Sequence, residues 1–231
     1  MKPEERVIVA LDLQNEEDFK RILREISPYA KIVKIGPVAL LGIGFKTIEM
    51  AEEYGLDIFL DLKHMDIPNT VALSARGIAK MGVKMFTLHC LGGIEMIKSA
   101  KEELSAFKSP PLIIGVTVLT SWDKETISSF GISSMESLFE TLVQMGLEGG
   151  VDGFVCSPIE AKKIKKLAPD KLCITPGIRL SSEKDDQKRT GSPEEAIESG
   201  ADYIVVGRPV IQSPEPAQAF LQIIERIKSC K

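Results

Sequence analysis

The chain has 231 residues, of which 44% are hydrophobic and 27% charged, a composition typical of a soluble globular protein with a sizeable core. The formal net charge of −4 at pH 7 provides no broad basic surface, so we expect neither nucleic acid nor an anionic membrane as a partner. No apolar run is long enough to span a bilayer or to form a signal-peptide core, and we therefore expect a cytoplasmic protein.

The cysteines and histidines do not form a metal-binding pattern. The four cysteines show no C-x-x-C spacing, and the first three lie in apolar, strand-like runs, which favours buried free thiols over disulfides or a zinc site. The chain has only two histidines, His64 and His89, which argues against a histidine-rich metal centre. We therefore expect no metal and no cofactor. The cysteines are Cys90, Cys156, Cys173 and Cys230.

Apolar strands alternate with amphipathic helices along the whole chain. The first unit shows the pattern, with an apolar run at 7–13 followed by helical apolar spacing at 15–26. Further helices are predicted at 37–54, with an interruption near Gly42 and Gly44, and at 68–81, 93–107, 159–167, 193–199 and 216–228. The eight predicted strands are 7–13, 31–36, 57–63, 83–90, 112–119, 153–156, 172–176 and 203–207.

Eight successive strands with no linker or change of composition predict an α/β protein, a single (β/α)₈ TIM barrel that forms one catalytic domain over 1–231. The alternative is an open, doubly wound sheet, which needs only five to seven of these strands. Two connections, 120–134 and 179–192, are longer than a barrel requires and follow strands five and seven. Both are candidate lids over a site at the carboxyl face, although the very polar second one is equally compatible with a solvated loop.

Charged residues end the first three predicted strands. Asp61 and Lys63 are two positions apart in the third strand, so their side chains face the same side. Charges at the end of so apolar a strand need partners, because burying an unpaired charge is costly. We expect Asp12, Lys34, Asp61 and Lys63 to converge as alternating carboxylates and ammonium groups. Each of them taken singly is also compatible with a salt bridge at the barrel rim. His89 ends the fourth strand and is interpreted as structural, and His64 as outside the pocket.

A phosphate site is predicted at the ends of strands seven and eight, the loops with which barrels frequently bind phosphate. The segments are 175–179 (T-P-G-I-R) and 205–209 (V-V-G-R-P). Glycine lets the backbone approach a ligand, and the guanidinium of Arg208 matches phosphate oxygens with a planar fork. The alternatives are a tight turn at Gly207 and a rim salt bridge at Arg208.

Three motifs carry a resemblance: D-x-K-x-x-D-I at Asp61, Lys63, Asp66 and Ile67, P-G-I-R at 176–179, and D-Q at 186–187. With the residues described above, they resemble the orotidine 5′-phosphate decarboxylase family over essentially the whole chain. The D-x-K-x-x-D-I arrangement alone is shared with sugar-phosphate lyases, and its conjunction with P-G-I-R and D-Q is more specific. The family usually has histidine immediately before the second aspartate, where this chain has Met65. The matching residues are Asp12, Lys34, Asp61, Lys63, Asp66, Ile67, Leu119 to Ser121, Pro176 to Arg179, Asp186, Gln187, Gly207 and Arg208.

The resemblance implies roles for the charged residues. Lys63 would face the carbanion that develops on the pyrimidine ring and then protonate it, and Asp61 would lie beside the departing carboxylate. Lys34 and Asp12 would contact the ribose hydroxyls and hold the charge network. The resemblance implies no cofactor.

It also implies a homodimer with shared active sites and roles for the ligand-binding residues. Asp66, with Ile67 and Thr70, would reach the site of the partner subunit, and the competing interpretation of Asp66 is a helix cap ahead of Pro68. The remaining implied contacts with substrate are Thr120 and Ser121 near the pyrimidine, Pro176 and Arg179 in the seventh-strand loop, Gln187 between lid, base and phosphate, and Gly207 with Arg208 on the phosphate.

Two other functions stay open from the sequence. One is a sugar-phosphate decarboxylase or aldolase-like lyase, which would use a divalent metal. The other is a non-catalytic barrel that binds a phosphorylated metabolite, for which Asp61 and Lys63 would be dispensable.

Overall fold

The computed structural model describes residues 1–180 and 191–230, and in these segments eight parallel strands close into a barrel in chain order. Strand β1 pairs with both β2 and β8, which closes the ring. This confirms the predicted TIM barrel, and the open-sheet alternative is wrong. The strands are β1 (Val7–Ala10), β2 (Ile32–Ile35), β3 (Asp57–His64), β4 (Met85–His89), β5 (Leu112–Val116), β6 (Gly153–Val155), β7 (Leu172–Thr175) and β8 (Tyr203–Val206).

Helices follow the strands and form the outer layer. The first shows why: Asn15 caps it by accepting from the backbone N–H groups of Glu17 and Asp18, and apolar residues three and four apart make one buried face. The helices are α1 (Glu16–Ile26), α2 (Pro37–Gly42), α3 (Lys46–Glu53), α4 (Pro68–Lys80), α5 (Ile94–Leu104), α6 (Lys124–Ser129), α7 (Met135–Gly149), α8 (Pro158–Leu167), α9 (Pro193–Glu198), α10 (Arg208–Ile211) and α11 (Pro216–Lys228). Short 3₁₀ turns form at Pro3–Glu5 and Cys90–Gly92.

The core has two layers. Inward-facing residues such as Phe59, Met85 and Ile174 fill the barrel, and a larger apolar layer lies between strands and helices. Burying a side chain of this size contributes about 1.5–3 kcal/mol to the stability of the fold. Because the interior is filled, a ligand finds room only at the ends of the barrel.

Strand β3 departs from regular pairing near its carboxyl end. Leu60 pairs with Phe86 of β4, and the next pair is His64 with Leu88, so four steps along β3 correspond to two along β4. The extra residues form a bulge that contains Asp61 and Lys63, and bulges of this kind often re-aim side chains next to active sites.

The connection after β5 differs from the sequence prediction. The stretch 120–134 is not a plain loop, because it contains α6, whose N-cap Asp123 accepts from the N–H of Thr126. Helix α7 was not assigned from the sequence, although its apolar residues Phe139, Leu142 and Val143 have helical spacing and are buried. The second candidate lid, 179–192, lies mostly outside the described residues.

The four cysteines are free thiols, as predicted; the first three are buried and Cys230 is half-buried. Within 1–180 and 191–230, no helix is both long enough and apolar enough to cross a membrane.

Candidate active site

A cavity of about 630 Å³ opens at the carboxyl ends of the strands. Barrel enzymes place their sites on this face. The floor is apolar and consists of side chains that point into the barrel. These floor residues are Ala10, Phe59, Val116, Val155, Ile174 and Val205.

One wall carries four charges of alternating sign. The Nζ of Lys34 lies 3.2 Å from Oδ1 of Asp12 and 3.4 Å from Oδ2 of Asp61. The Nζ of Lys63 lies 2.9 Å from both carboxylate oxygens of Asp61. Strands β1, β2 and β3 are neighbours in the barrel, so the charges that end them meet in this row. We call Asp12, Lys34, Asp61 and Lys63 the charge row.

The two central members of the charge row keep each other ionised. Burial alone would raise the pKa of the Asp61 carboxyl, but Lys34 and Lys63 outweigh burial and hold that pKa below its ordinary value. Burial alone would lower the pKa of Lys34, and the carboxylates of Asp61 and Asp12 instead raise it above its ordinary value. Asp61 and Lys34 are therefore both charged at neutral pH.

The backbone at Lys63 adopts a strained conformation. Among the non-glycine residues of the described segments, Lys63 alone has a positive φ, 48°. This left-handed conformation costs a non-glycine residue roughly 1–3 kcal/mol, and such strain clusters at active sites. Simple alternation along the strand predicts the Asp61–Lys63 contact but not this bulge, which the pairing of β3 with β4 creates.

Thr87 on β4 supports this conformation. It is fully buried, its hydroxyl oxygen accepts from the backbone N–H of Lys63 at 2.7 Å, and the hydroxyl donates to Oδ1 of Asp61 at 3.0 Å. Thr87 is not among the site residues predicted from the sequence. The available signal was a hydroxyl residue inside the otherwise apolar run M-F-T-L, two positions before His89.

The two histidines differ in their surroundings. His89 is buried, and its Nδ1 accepts from the N–H of Leu91 at 3.3 Å, which is a structural hydrogen bond of the kind the sequence analysis expected. Burial, and after it the charge of Lys63, lowers the pKa of His89 below its ordinary value. His64 does not line the cavity, and its Nε2 is buried without a hydrogen-bond partner among the described residues.

The remaining wall of the cavity is built from loops after β5, β7 and β8. Strands β3 and β7 are four positions apart in an eight-stranded ring, so their ends face each other across the cavity. Gly177 has φ 79°, a conformation that favours glycine, and turns the chain between Pro176 and Arg179. The predicted binding residues on this wall are Thr120, Ser121, Pro176, Arg179, Gly207 and Arg208.

Three predicted site residues do not line the cavity of their own chain. Asp66, Ile67 and Thr70 lie beyond the end of β3, and the side chain of Ile67 is 66% exposed. Asp66 accepts from the N–H of the adjacent Ile67 at 2.6 Å. The N-cap position of α4 is Ile67, without a side-chain cap, so Asp66 does not serve as the conventional helix cap. Gln187 lies outside the described residues.

Comparison with known proteins identifies the family. The family model described as "Orotidine 5'-phosphate decarboxylase / HUMPS family" matches residues 5–223. The chain belongs to this family. The orotidine 5′-phosphate decarboxylase of Dichelobacter nodosus is 43% identical over 221 residues, covering 94% of this chain and 96% of its own. That of Teredinibacter turnerae is 41% identical over 226 residues, covering 96% and 97% respectively.

Solved structures agree with the assignment to the orotidine 5′-phosphate decarboxylase / HUMPS family. The crystal structure of orotidine 5′-phosphate decarboxylase from Lactobacillus acidophilus superposes with a TM-score of 0.85 at 37% identity, covering 97% of this chain and 100% of that one. An uncharacterized conserved protein from Geobacillus kaustophilus superposes with a TM-score of 0.83 at 31% identity, covering 95% and 98%. The barrel therefore has a family fold that is shared over nearly the whole chain.

Proposed function

We propose that this protein decarboxylates orotidine 5′-phosphate to uridine 5′-phosphate, a step of de novo pyrimidine biosynthesis. The observation that carries the proposal is the charge row, which ends in an ammonium group held at the mouth of a cavity in a member of this family. In this proposal 1–231 acts as one catalytic domain in the cytoplasm.

The chemistry requires a preorganised cation. The bond between the ring carbon and the carboxylate breaks, carbon dioxide leaves, and the electron pair stays on a carbon that has no neighbouring carbonyl to accept it. Lys63 stabilises this pair by its charge and then donates a proton from Nζ to the carbon, and solvent returns the proton to the lysine. Asp61 fixes the ammonium and repels the carboxylate before it leaves, a contribution that is smaller than the stabilisation by Lys63.

Binding involves groups on both walls. Lys34 and Asp12 would hold the ribose hydroxyls, and Thr120 and Ser121 would lie at the pyrimidine. Pro176 with Arg179, and Gly207 with Arg208, would surround the phosphate, and Gln187 would join lid, base and phosphate. Arg179 and Arg208 line the cavity, and their planar guanidinium groups would bind the phosphate oxygens. Phosphate binding far from the reacting carbon then helps to hold the charged site together. No cofactor is part of this mechanism.

The active form in this proposal is a homodimer with shared sites. Asp66, Ile67 and Thr70 do not line the cavity of their own chain, and the apolar residues Ile67 and Met65 are both exposed. A two-fold interface would bury these apolar side chains and bring Asp66 to the partner's site.

A spectrophotometric assay with orotidine 5′-phosphate tests the proposed activity. We expect turnover that persists after treatment with a chelator and is absent with sugar phosphates. Activity toward a sugar phosphate that a chelator abolishes would support the metal-dependent lyase instead. Tight binding without turnover of either substrate would support the non-catalytic barrel.

A further inference from the structure

The hydroxyl of Thr87 connects two residues of the charge row that come from the neighbouring strand. Its single hydrogen must go to Asp61, because an ionised carboxylate can only accept, and one of its lone pairs then receives the N–H of Lys63. The bond to Asp61 is buried and the bond from Lys63 is partly buried, so competition from water is weaker than at the surface. The direction of each bond is therefore fixed by the chemistry of its partners.

The backbone of Lys63 needs such a partner. In the bulge of β3, the pairing with β4 passes from Leu60 directly to His64, so the N–H of Lys63 has no carbonyl opposite it in the ladder. A backbone N–H without a partner is costly, and Lys63 also bears the cost of its positive φ. The hydroxyl of Thr87 satisfies this N–H and so stabilises the conformation that aims the lysine side chain.

We propose that Thr87 is a positioning residue for the decarboxylation: its one hydroxyl fixes both the backbone that carries the Lys63 ammonium and the carboxylate that holds this ammonium. The inference rests on the proposed function. Thr87 does not line the cavity and therefore acts through Lys63 and Asp61. Small errors in the placement of a reacting group have large effects on rate, so loss of the hydroxyl should affect turnover more than binding.

Two substitutions separate the hydroxyl from the shape of the side chain. Thr87→Val keeps the volume and removes the hydroxyl, and Thr87→Ser keeps the hydroxyl. We expect Thr87→Val to lower kcat about 10- to 100-fold, as for the loss of a hydrogen bond to a charged group, with KM changed by less than about threefold. Thr87→Ser should stay within about threefold of the wild-type kcat.

Thr117→Val is the matched control. Thr117 is also a fully buried threonine, and its hydroxyl has no hydrogen-bond partner among the described residues. The same change of atoms at this position should leave kcat unchanged. A fall in kcat for Thr87→Val that Thr117→Val does not reproduce is therefore specific to the hydrogen bonds of Thr87.

Amide hydrogen exchange supplies a measurement that does not depend on turnover. The N–H of Lys63 should exchange faster in Thr87→Val than in the wild type and in Thr87→Ser. Each of three results would overturn the inference: the N–H of Lys63 exchanges equally fast in Thr87→Val and in the wild type, kcat is unchanged in Thr87→Val, or Thr87→Ser loses as much kcat as Thr87→Val. If Thr87→Val does not fold, Thr87→Cys, whose thiol is a weak donor and acceptor, replaces it with the same expected results. A wild-type protein without turnover would refute the proposed function, and the exchange rates would still decide whether Thr87 holds Lys63.

Discussion

Lys63 and Asp61 form an ion pair whose two members differ in exposure: the lysine side chain is 40% exposed, and the aspartate side chain is 10% exposed. The carboxylate is anchored inside the barrel, where it also accepts from Thr87, while the lysine reaches it from the open cavity. A ligand in the cavity therefore meets the ammonium group before it meets the carboxylate.

Replacing Lys63 with alanine should abolish turnover but not binding. The change removes both the stabilising cation and the proton donor, so we expect a residual kcat below about a hundredth of the wild-type value, since general acid catalysis alone contributes roughly 10²- to 10⁴-fold. Binding of uridine 5′-phosphate, measured by calorimetry, should persist because the phosphate contacts remain. Lys84→Ala is the matched control, because Lys84 has the same exposed fraction and pairs with Asp57 at the other end of β3. A larger residual rate in Lys63→Ala would contradict the assigned role.

The same variant should change the titration of His89. Lys63 is the second cause, after burial, of the lowered pKa of His89. In Lys63→Ala the pKa of His89 should rise and yet remain below the ordinary value, because burial still disfavours the charged ring. NMR titration can follow the ring of His89, because the chain has only two histidines. An unchanged pKa of His89 would show that the two side chains are not electrostatically coupled.

Arg208→Ala should separate phosphate binding from chemistry. If the guanidinium holds the phosphate, its loss should lower kcat/KM for orotidine 5′-phosphate much more than for the phosphate-free nucleoside. The measurement is kcat/KM of the wild type and of Arg208→Ala, each with the nucleotide and with the nucleoside. The nucleoside is the control because it lacks the phosphate. Equal losses would mean that Arg208 acts on the fold or on the base and that the phosphate binds elsewhere.

Mixing two inactive variants tests the shared site. Suppose that Lys63→Ala and Asp66→Ala are each inactive and are unfolded and refolded together. A mixed dimer then has one site with both lesions and one site with neither. Random pairing makes about half of the dimers mixed, so activity should return to about a quarter of the wild-type value.

Each variant refolded by itself is the control and should remain inactive. If mass spectrometry shows mixed dimers and no activity returns, Asp66 does not complete the partner's site.

Two glycine substitutions should change stability in opposite directions. A Cβ at Gly153 would lie 2.6 Å from the carbonyl oxygen of Leu172, which belongs to the neighbouring strand and cannot yield. We expect Gly153→Ala to lower the free energy of unfolding by about 1–3 kcal/mol. A Cβ at Gly77, inside α4, meets no atom within 4 Å. Gly77→Ala should therefore raise the free energy of unfolding by about 0.5–1 kcal/mol. Chemical denaturation of both variants checks the signs.

The sequence predicts the charge row well because its causes are local or topological. Alternation places Asp61 and Lys63 on one face, and the order of strands in a barrel brings Asp12 and Lys34 next to them. The bulge at Lys63 and the two hydrogen bonds of Thr87 could not be predicted, because they depend on how β3 registers against β4. The same limit applies to Asp66, whose assigned role requires a second copy of the chain.

The two walls of the cavity come from different halves of the barrel, which bears on how this protein could change during evolution. The reactive charges come from β1 to β3, with Thr87 on β4, whereas the residues assigned to base and phosphate come from the loops after β5 to β8. In the proposed function, the first half of the barrel carries the reactive charges and the ribose contacts, and the second half holds the base and the phosphate. Substitutions confined to the second half would then alter which base or phosphate group is held without removing the charges that act on bond cleavage.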